Sequence, residues 1–354
     1  MISIFFVLLI FFNPLLSESD LSDSKFPIAL HLVAEIKETD KIFIGGLVSA
    51  TMTQNEEILI LDYYQKNVFV FDLSGKLLDS FGREGRGPGE FLTPSAIKTD
   101  HEGYIYIPDT GNARISIWNP DFTYRIDHQM IPGWREKLNR NSDQLFLSVK
   151  PFRRLPNGND AFMIFKLGID ENEIQPFYTY EFDAVNEWHD ENRVFDSTSY
   201  WDISDDGKIV ASGKFDLSPV RIINSENGKV ETVFSESIDP VMYTEQEMED
   251  RLLRYPEDSA FRAIQEQRRY KQIYSNIQIS DREHIWVHRN KRFGARDEID
   301  IYTLDGEYKT MVTIPASENE LKMFGMYGEK ILFRITTQEG EERLHVYQIE
   351  YSDR

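Results

Sequence analysis

The chain of 354 residues contains no cysteine. This absence excludes disulfide bonds, thiol nucleophiles, thiolate metal ligands and a lipid-modified cysteine behind an export signal. An exported fold would have to be stable without cross-links. A chain of this length with 41% hydrophobic residues can build a core large enough for that.

The sequence is also poor in positive charge. Lys and Arg number 39 against 60 Asp and Glu, which leaves a net charge of −21. Because phosphate binding needs a basic surface, the balance argues against nucleic acid as a partner, and against an anionic membrane surface for the same reason. Strong acidity favours solubility and cationic ligands instead.

The common catalytic motifs are missing as well. There is no G-x-S-x-G, no H-E-x-x-H and no glycine-rich dinucleotide fingerprint. His284 and His288 would lie on one face of a strand roughly 13 Å apart, which is too far to share one metal ion. The other five histidines have no metal-ligand spacing. The catalytic residues therefore stay unknown, and neither a metal site nor a cofactor site is predicted.

The N-terminus contains a short apolar run over residues 4–12, followed by small residues at Ser17 and Ser19. This pattern predicts a signal peptide over residues 1–19 and a periplasmic or extracellular protein, with no membrane span in the mature chain. No Lys or Arg precedes Lys25, so an uncleaved N-terminal anchor remains the alternative.

A repeat in the forties runs through the chain. The segment 56–62 recurs as 103–109, 47 residues later, and each copy ends in an Asp followed by another alternating strand. A fixed period of this length made of short strands predicts an all-β, six-bladed propeller over residues 28–351. The second strands of the blades are predicted to begin at Ile58, Ile105, Phe162, Ile209, Ile285 and Ile331.

Two of the five steps between these strands are longer than the rest. We assign the excess in one to a polar insertion over residues 132–141, and in the other to a helical insertion over 243–273, between blades four and five. The insertion opens with a capping box, Thr244 to Glu247, and a second helix is expected from about Ala260 to Tyr274.

The segment from Leu30 to Ile36 alternates like a strand ahead of the first blade. It is predicted to pair with the last strand, residues 344–349, and so to close the ring of blades. A loosely attached N-terminal tail is the alternative.

One blade carries a more specific pattern over residues 81–118. Its elements are Phe81-Gly82, Gly85-x-Gly87-Pro88-Gly89-x-Phe91, Pro94, Asp100, Gly103, Asp109, Asn112 and Arg114. This segment resembles the NHL repeat and the exported bacterial six-bladed propellers related to it. The resemblance implies a propeller that acts as a binding module. Some six-bladed relatives are metal-dependent lactonases or lyases with Asp, Glu, Asn or His around the channel.

The residues of this motif also have a structural interpretation. Gly85, Gly87 and Gly89 would allow positive φ in the loop between blades, and Asp109 would pair with Arg114 across a hairpin. The alternative is an anion-binding loop formed by Arg83 and Arg86, although it lacks the Lys-Ser/Thr ending of a phosphate-binding loop.

The helical insertion carries a basic group of residues in this acidic protein: Arg262, Arg268, Arg269 and Lys271. They are predicted to contact a ligand or partner beside the channel, and a solvated helical hairpin is the alternative.

The sequence thus favours an exported, monomeric, non-catalytic propeller without a cofactor. It would bind a protein, peptide or glycan on the face bearing the inter-blade loops. The competing hypothesis is a metal-dependent hydrolase, lactonase or lyase at the channel, which would require an ion such as calcium or zinc.

Overall fold

The structure is a computed structural model. It describes residues 28–38, 44–130, 133–141, 144–151, 155–168, 174–182, 200–212, 220–234, 242–253, 256–257, 262, 266, 274–289, 297–315, 320–337 and 339–352. The predicted signal peptide lies outside these residues.

Within these described residues, twenty-four strands form six four-stranded antiparallel sheets. The first strand along the chain, β1 (Ile28–Lys37), belongs to the last blade. Blade one contains β2 (Leu47–Met52), β3 (Ile58–Asp62), β4 (Asn67–Phe71) and β5 (Leu77–Phe81). Blade two contains β6 (Lys98–Thr99), β7 (Ile105–Asp109), β8 (Arg114–Trp118) and β9 (Tyr124–Gln129). Blade three contains β10 (Gly133–Arg140), β11 (Leu145–Pro151), β12 (Asp160–Leu167) and β13 (Gln175–Phe182).

The second half of the chain repeats this arrangement. Blade four contains β14 (Tyr200–Ile203), β15 (Lys208–Ser212), β16 (Val220–Asn224) and β17 (Val230–Phe234). One helix, α1 (Glu245–Leu252), follows. Blade five contains β18 (Tyr274–Ile279), β19 (His284–Arg289), β20 (Glu298–Thr303) and β21 (Tyr308–Thr313). Blade six contains β22 (Glu320–Tyr327), β23 (Lys330–Thr336) and β24 (Glu342–Tyr351), and β1 is its fourth strand.

The first strand of each blade lies innermost in the ring. β2, β6, β10, β14, β18 and β22 each contact the next, and β22 contacts β2 again, so the six strands surround a central channel. The six-bladed prediction is therefore confirmed.

The ring closes through both ends of the chain. β1 pairs with β24 in antiparallel register, Leu30 opposite Ile349 and Ile36 opposite Leu344. The predicted closure is confirmed, and β1 covers the outer edge of β24, which would otherwise be unpaired.

Hydrophobic burial explains the order of the strands within a blade. Every residue of β3 and of β7 is buried, because these central strands pack against neighbouring blades on both faces. The outermost strands face water, and four of the five residues of β5 are exposed. The largest fully buried side chains, Trp201 and Trp286, lie on β14 and β19.

Blade three departs from the prediction. The polar stretch taken for an insertion is the inner strand β10, and Phe162 lies on the third strand, β12, rather than on the second. Polar residues such as Lys137 and Asn139 are tolerated in β10 because an inner strand borders the channel, where polar groups find partners. The extra length of the chain lies mostly within blade three, where β11 and β12 begin 15 residues apart, against 9 for β3 and β4.

The helical insertion is only partly described. α1 begins with the predicted capping box, in which Thr244 and Glu247 bind each other's backbone N–H groups, and none of its residues is buried. The predicted second helix falls mostly outside the described residues. Its expected end at Tyr274 is wrong, because Tyr274 begins β18. The two described residues inside that predicted second helix, Arg262 and Glu266, are both helical.

Candidate functional site

The repeated Asp at the end of the second strand binds the backbone of the preceding inter-blade loop. The carboxylate of Asp109 accepts hydrogen bonds from Leu92 N at 3.1 Å and Thr93 N at 2.8 Å, and from Asn112 Nδ2 at 2.6 Å. In blade one, Asp62 accepts from the N–H of Gly45, Gly46, Tyr64 and Gln65. Both carboxylates are fully buried, so their role in the two repeats is structural.

Arg114 does not pair with Asp109 as predicted. Its guanidinium donates to Asp127 Oδ2 at 2.7 Å and to the carbonyl oxygens of Gly87 and Glu90, each at 2.6 Å. Asp109 and Arg114 are opposite in the strand register, yet each side chain turns to the inter-blade loop. The loop backbone has N–H groups that need acceptors and carbonyl groups that need donors. Asp109 accepts from the former and Arg114 donates to the latter.

The glycine-rich loop is held by contacts within itself. Gly89 has a φ of +72°, as expected, whereas Gly87 does not have a positive φ. Asn112 Nδ2 donates to Gly85 O at 2.9 Å. Arg83 pairs with Glu90 at 2.8 Å, and a hydrogen bond from Gly87 N lowers the pKa of that carboxyl. With Arg83 so occupied, an anion-binding role for this loop has little support.

A cavity of about 310 Å³ opens at one mouth of the channel. It lies on the face of the ring that bears the turns between the first and second strands of each blade, which we call the first-turn face. The opposite face carries the connections between blades, and we call it the inter-blade face. All six blades line this channel-mouth cavity, for example through Gln54, Lys98, Arg140, Asp202, Gln278 and Met326.

Lys98 extends from β6 to blade six. Its Nζ donates to Phe324 O at 2.9 Å and to Tyr327 Oη at 3.0 Å, and Tyr327 Oη also accepts from Thr51 Oγ1 at 2.8 Å. A Cβ at Gly325 would come within 2.6 Å of the Lys98 ammonium, so a side chain at this position would displace that ammonium.

Below the cavity, a set of hydrogen bonds joins blades three, four and five. Lys137 Nζ donates to Trp201 O, Asn276 Oδ1 and Ile277 O at 3.0–3.1 Å. Asn139 Nδ2 donates to Trp201 O as well, at 2.6 Å. These bonds fix the inner strands against one another on that side of the channel.

Two ionisable groups in the channel have displaced pKa values. Burial lowers the pKa of Lys137 to about 8, and the nearby Lys98 and Lys322 lower it further while Asp202 raises it. Burial raises the pKa of Asp202 to about 6 against the opposing effect of Lys137 and of a hydrogen bond from Ile279 N at 2.7 Å. Displaced pKa values of this kind concentrate at functional sites, although structural networks cause them too.

The histidines that the structure describes do not cluster into a metal site. His288 is buried and lies 3.1 Å from Asp297, while His284, four residues earlier on β19, is only half-buried. Among the residues that the structure describes, no three His, Asp or Glu side chains lie close enough to hold a metal ion.

A second, more open cavity lies on the inter-blade face between blades six and one. It has a volume of about 480 Å³ and includes Tyr63, Tyr64 and Arg334. Tyr64 is 70% exposed, and Lys66 Nζ lies 3.5 Å from the centre of the Tyr63 ring.

Of the predicted contact residues in the insertion, the structure describes only Arg262. It donates to Leu252 O at 3.1 Å, at the C-terminal end of α1, and to Glu266 at 3.2 Å. Arg268, Arg269 and Lys271 lie outside the described residues. The predicted contact site formed by the four basic residues therefore stays a prediction.

Sequence reasoning missed the channel-mouth cavity and its residues. Lys98, Arg140 and Gln278 occur in ordinary strand segments, far apart along the chain. The one available signal was polarity at positions that the blade period places on inner strands.

The sequence comparison identifies the family. A model described as a 6-bladed beta-propeller matches residues 36–255, which is more than half of the chain. The chain belongs to this family, DUF5128. A comparison with curated protein sequences finds no match.

Solved structures share the fold at low sequence identity. A candidate exported protein from Bacteroides fragilis is 14% identical with a TM-score of 0.59, covering 92% of this chain and 96% of its own. An inactive virginiamycin B lyase from Staphylococcus aureus with quinupristin, 11% identical, has a TM-score of 0.51, with 92% and 99% coverage. Aldose sugar dehydrogenase from Streptomyces coelicolor, in its PQQ-bound form, is 9% identical with a TM-score of 0.51 and the same coverage. At these identities the likeness shows the fold alone, and the fold serves binding proteins and enzymes alike.

The structure bears on membrane association in one respect. Within the described ranges, no helix has the length and the apolar content that crossing a membrane requires.

Proposed function

We propose that this protein is an exported, non-catalytic binding propeller that takes a peptide or glycan ligand at the channel-mouth cavity. The observation that carries the proposal is convergence. Residues from all six blades line one cavity of about 310 Å³, the size of a small-ligand site, and five of the blades contribute polar side chains. The resemblance of residues 81–118 to exported propellers supports export.

The cavity favours a site on the first-turn face over the inter-blade face. The amide nitrogen of Gln278 is buried there and has no hydrogen-bond partner among the described residues. A buried donor without a partner is rare in folded proteins, and a bound ligand would satisfy it. The cavity near Tyr63 and Tyr64 is wider and more open, and it remains the second surface to examine.

The basic residues of the insertion are retained as a second contact. Arg262, Arg268, Arg269 and Lys271 belong to the connection between β17 and β18, which joins blades four and five. We propose that they bind an acidic surface of a partner. Arg262 is already engaged by Leu252 O and Glu266, so the reversal Arg268→Glu with Arg269→Glu is the sharper test.

A hydrolase or lyase acting in the channel is the competing function, and one observation favours it. Asp202 lines the cavity with a pKa raised to about 6, so it could exchange a proton near neutral pH. This function would be supported if a lactone or ester were turned over by the wild-type protein and not by Asp202→Asn.

The binding proposal is tested by probing peptide and glycan arrays with a pair of matched variants. Asp205 is exposed on the cavity rim, so Asp205→Trp should obstruct the mouth with little cost to the fold. Glu226→Trp places the same side chain on an exposed turn of the same blade that does not line the cavity. We expect the arrays to give ligands that wild type and Glu226→Trp bind and Asp205→Trp does not. Equal binding by all three proteins would overturn the proposal.

A further inference from the structure

We propose that the channel-mouth cavity binds an oxyanion, a carboxylate or phosphate group of its ligand, through Lys98, Arg140 and Gln278. The inference rests on the proposed function, because it names the chemistry of the group that enters the same cavity. It concerns a basic site inside a protein whose net charge is −21.

Lys98 supplies a buried positive charge that forms no salt bridge in the described part of the chain and interacts with the Asp202 carboxylate only at longer range. The residue is 6% exposed, and its Nζ donates only to the neutral oxygens of Phe324 and Tyr327. Within the described part of the chain, no carboxylate lies within ion-pair distance of this ammonium. Buried charges in proteins are normally paired, since an unpaired charge is costly to remove from water.

Arg140 brings a second unpaired cation to the same place. Its guanidinium lies 5.3 Å from the centre of the Tyr327 ring, and Lys98 Nζ lies 5.2 Å from that centre. The two charges are therefore no more than about 10.5 Å apart. Arg140 has no ion pair among the described residues. Two like charges held this close repel each other, and a bound anion would relieve the repulsion.

Gln278 adds a neutral donor. The residue is 5% exposed, and its Nε2 is buried without an acceptor among the described residues. Lys98, Arg140 and Gln278 come from blades two, three and five and all line the channel-mouth cavity. An oxyanion accepts several hydrogen bonds at once, and a guanidinium can bind it in bidentate fashion.

The acidic groups nearby define the rest of the ligand. Asp202 is the one buried carboxylate in the cavity, and it interacts with Lys137, with Ile279 N and, more weakly, with Lys98. Asp205, Asp281 and Glu283 are exposed at the rim. A ligand that places an oxyanion deep in the cavity should therefore carry neutral or positive groups outside it.

The test uses small probes and isothermal titration calorimetry at low ionic strength. The probes are N-acetylglycine for a carboxylate, inorganic phosphate for a phosphate group, and N-acetylglycinamide as the uncharged match. We expect saturable binding of one anion at one site per chain and none of the amide. Salt should weaken the binding, because the contacts are charged. The anion that binds identifies the group.

Variants locate the binding. Arg140→Gln is preferred, since Arg140 is half-buried and its loss should leave the protein folded. It should weaken anion binding by about tenfold or more, because a charge-assisted contact is lost. Lys76→Gln, on an exposed turn of blade one, is the matched control and should bind as wild type does. Lys98→Gln is measured alongside with its melting temperature, because loss of a buried contact could unfold it.

The assignment is overturned if neither anion binds, if the amide binds equally well, or if Arg140→Gln binds the anion like wild type. These outcomes are separate from failure of the proposed function. If Asp205→Trp blocked an array ligand while neither anion bound, the channel mouth would still be a binding site. Only the proposal that it binds an oxyanion would be overturned. Anion binding that depends on Arg140, with no array ligand affected by Asp205→Trp, would overturn the proposed function alone.

Discussion

At the scale of single residues, the buried Asp that ends the second strand is the clearest case in which a sequence pattern has a physical explanation. The recurrence of Asp62 as Asp109 was visible in the sequence, and the structure gives both the same task. Each binds N–H groups of the loop that enters its blade. The hydrogen-bond partner of Asp109 could not be deduced from the sequence. Loop N–H groups and Arg114 are both possible donors to its carboxylate, and the spacing of residues does not show which of them lies within reach.

This role predicts a large loss of stability for Asp109→Ala. The substitution leaves Leu92 N, Thr93 N and the Asn112 amide without their acceptor in a buried site. The free energy of unfolding should fall by about 3 kcal/mol, the cost of several unsatisfied buried groups. Urea denaturation measures it. Asp121→Ala, at an exposed turn of the same blade, is the control and should change stability far less. Similar losses in both variants would argue against a special role for Asp109.

Asp202 predicts a pH dependence of stability. Its pKa in the folded protein is raised to about 6 from a reference of 3.8, so ionisation in the folded state is disfavoured by burial. The ionised carboxylate therefore lowers the free energy of unfolding above pH 6. Protonation removes this cost as the pH falls towards 4. Lys137, with a pKa of about 8, stays charged throughout this window.

Asp202→Asn removes this titration. Relative to wild type, the variant should be more stable at pH 7.5 than at pH 4.5 by about 2 kcal/mol, which follows from a pKa shift of this size. Chemical denaturation at the two pH values gives the difference, and Asp205→Asn on the exposed rim serves as the control. If the difference in unfolding free energy between variant and wild type did not change with pH, the pKa of Asp202 would not be raised in the folded protein.

At the scale of elements, the strands that could be predicted are those with continuous or alternating apolar residues. The closing strand β1 and the blade-one strands β3 and β4 were predicted correctly because their burial follows the period of the chain. β10 was missed because its polar residues face the channel, where hydrogen-bond partners replace apolar contacts. The channel-mouth cavity could not be predicted for the same reason, since it is assembled from inner strands of all six blades.

The closing strand is an element whose contribution can be measured. Ile36 on β1 is 2% exposed and packs in the core between blades six and one, whereas Leu32 on the same strand is 49% exposed. Ile36→Ala should lower the free energy of unfolding by about 2–5 kcal/mol through lost contacts and a cavity. Leu32→Ala should change it by about 0.5 kcal/mol or less. Thermal denaturation of both variants compares them. If the two losses were equal, β1 would not be the structural closure of the ring.

At the scale of the whole molecule, family membership and topology define a scaffold, and the function depends on where the polar groups of that scaffold converge. The inter-blade loop motif, which carries the resemblance to NHL repeats, is occupied by its own structural contacts. The channel mouth, which no motif marks, holds two unpaired cations and an unpartnered amide. The acidic surface therefore surrounds a small basic centre, and this contrast could select a ligand.

Hydrogen–deuterium exchange with the ligand that the arrays identify tests this account most directly. If the channel mouth is the binding site, the bound ligand should slow exchange in segments 98–101, 139–141, 202–205 and 278–283, which belong to four different blades. The segments that contain Tyr63, Tyr64 and α1 should exchange as they do in the free protein. Protection confined to the inter-blade face, with none at the channel mouth, would contradict the account.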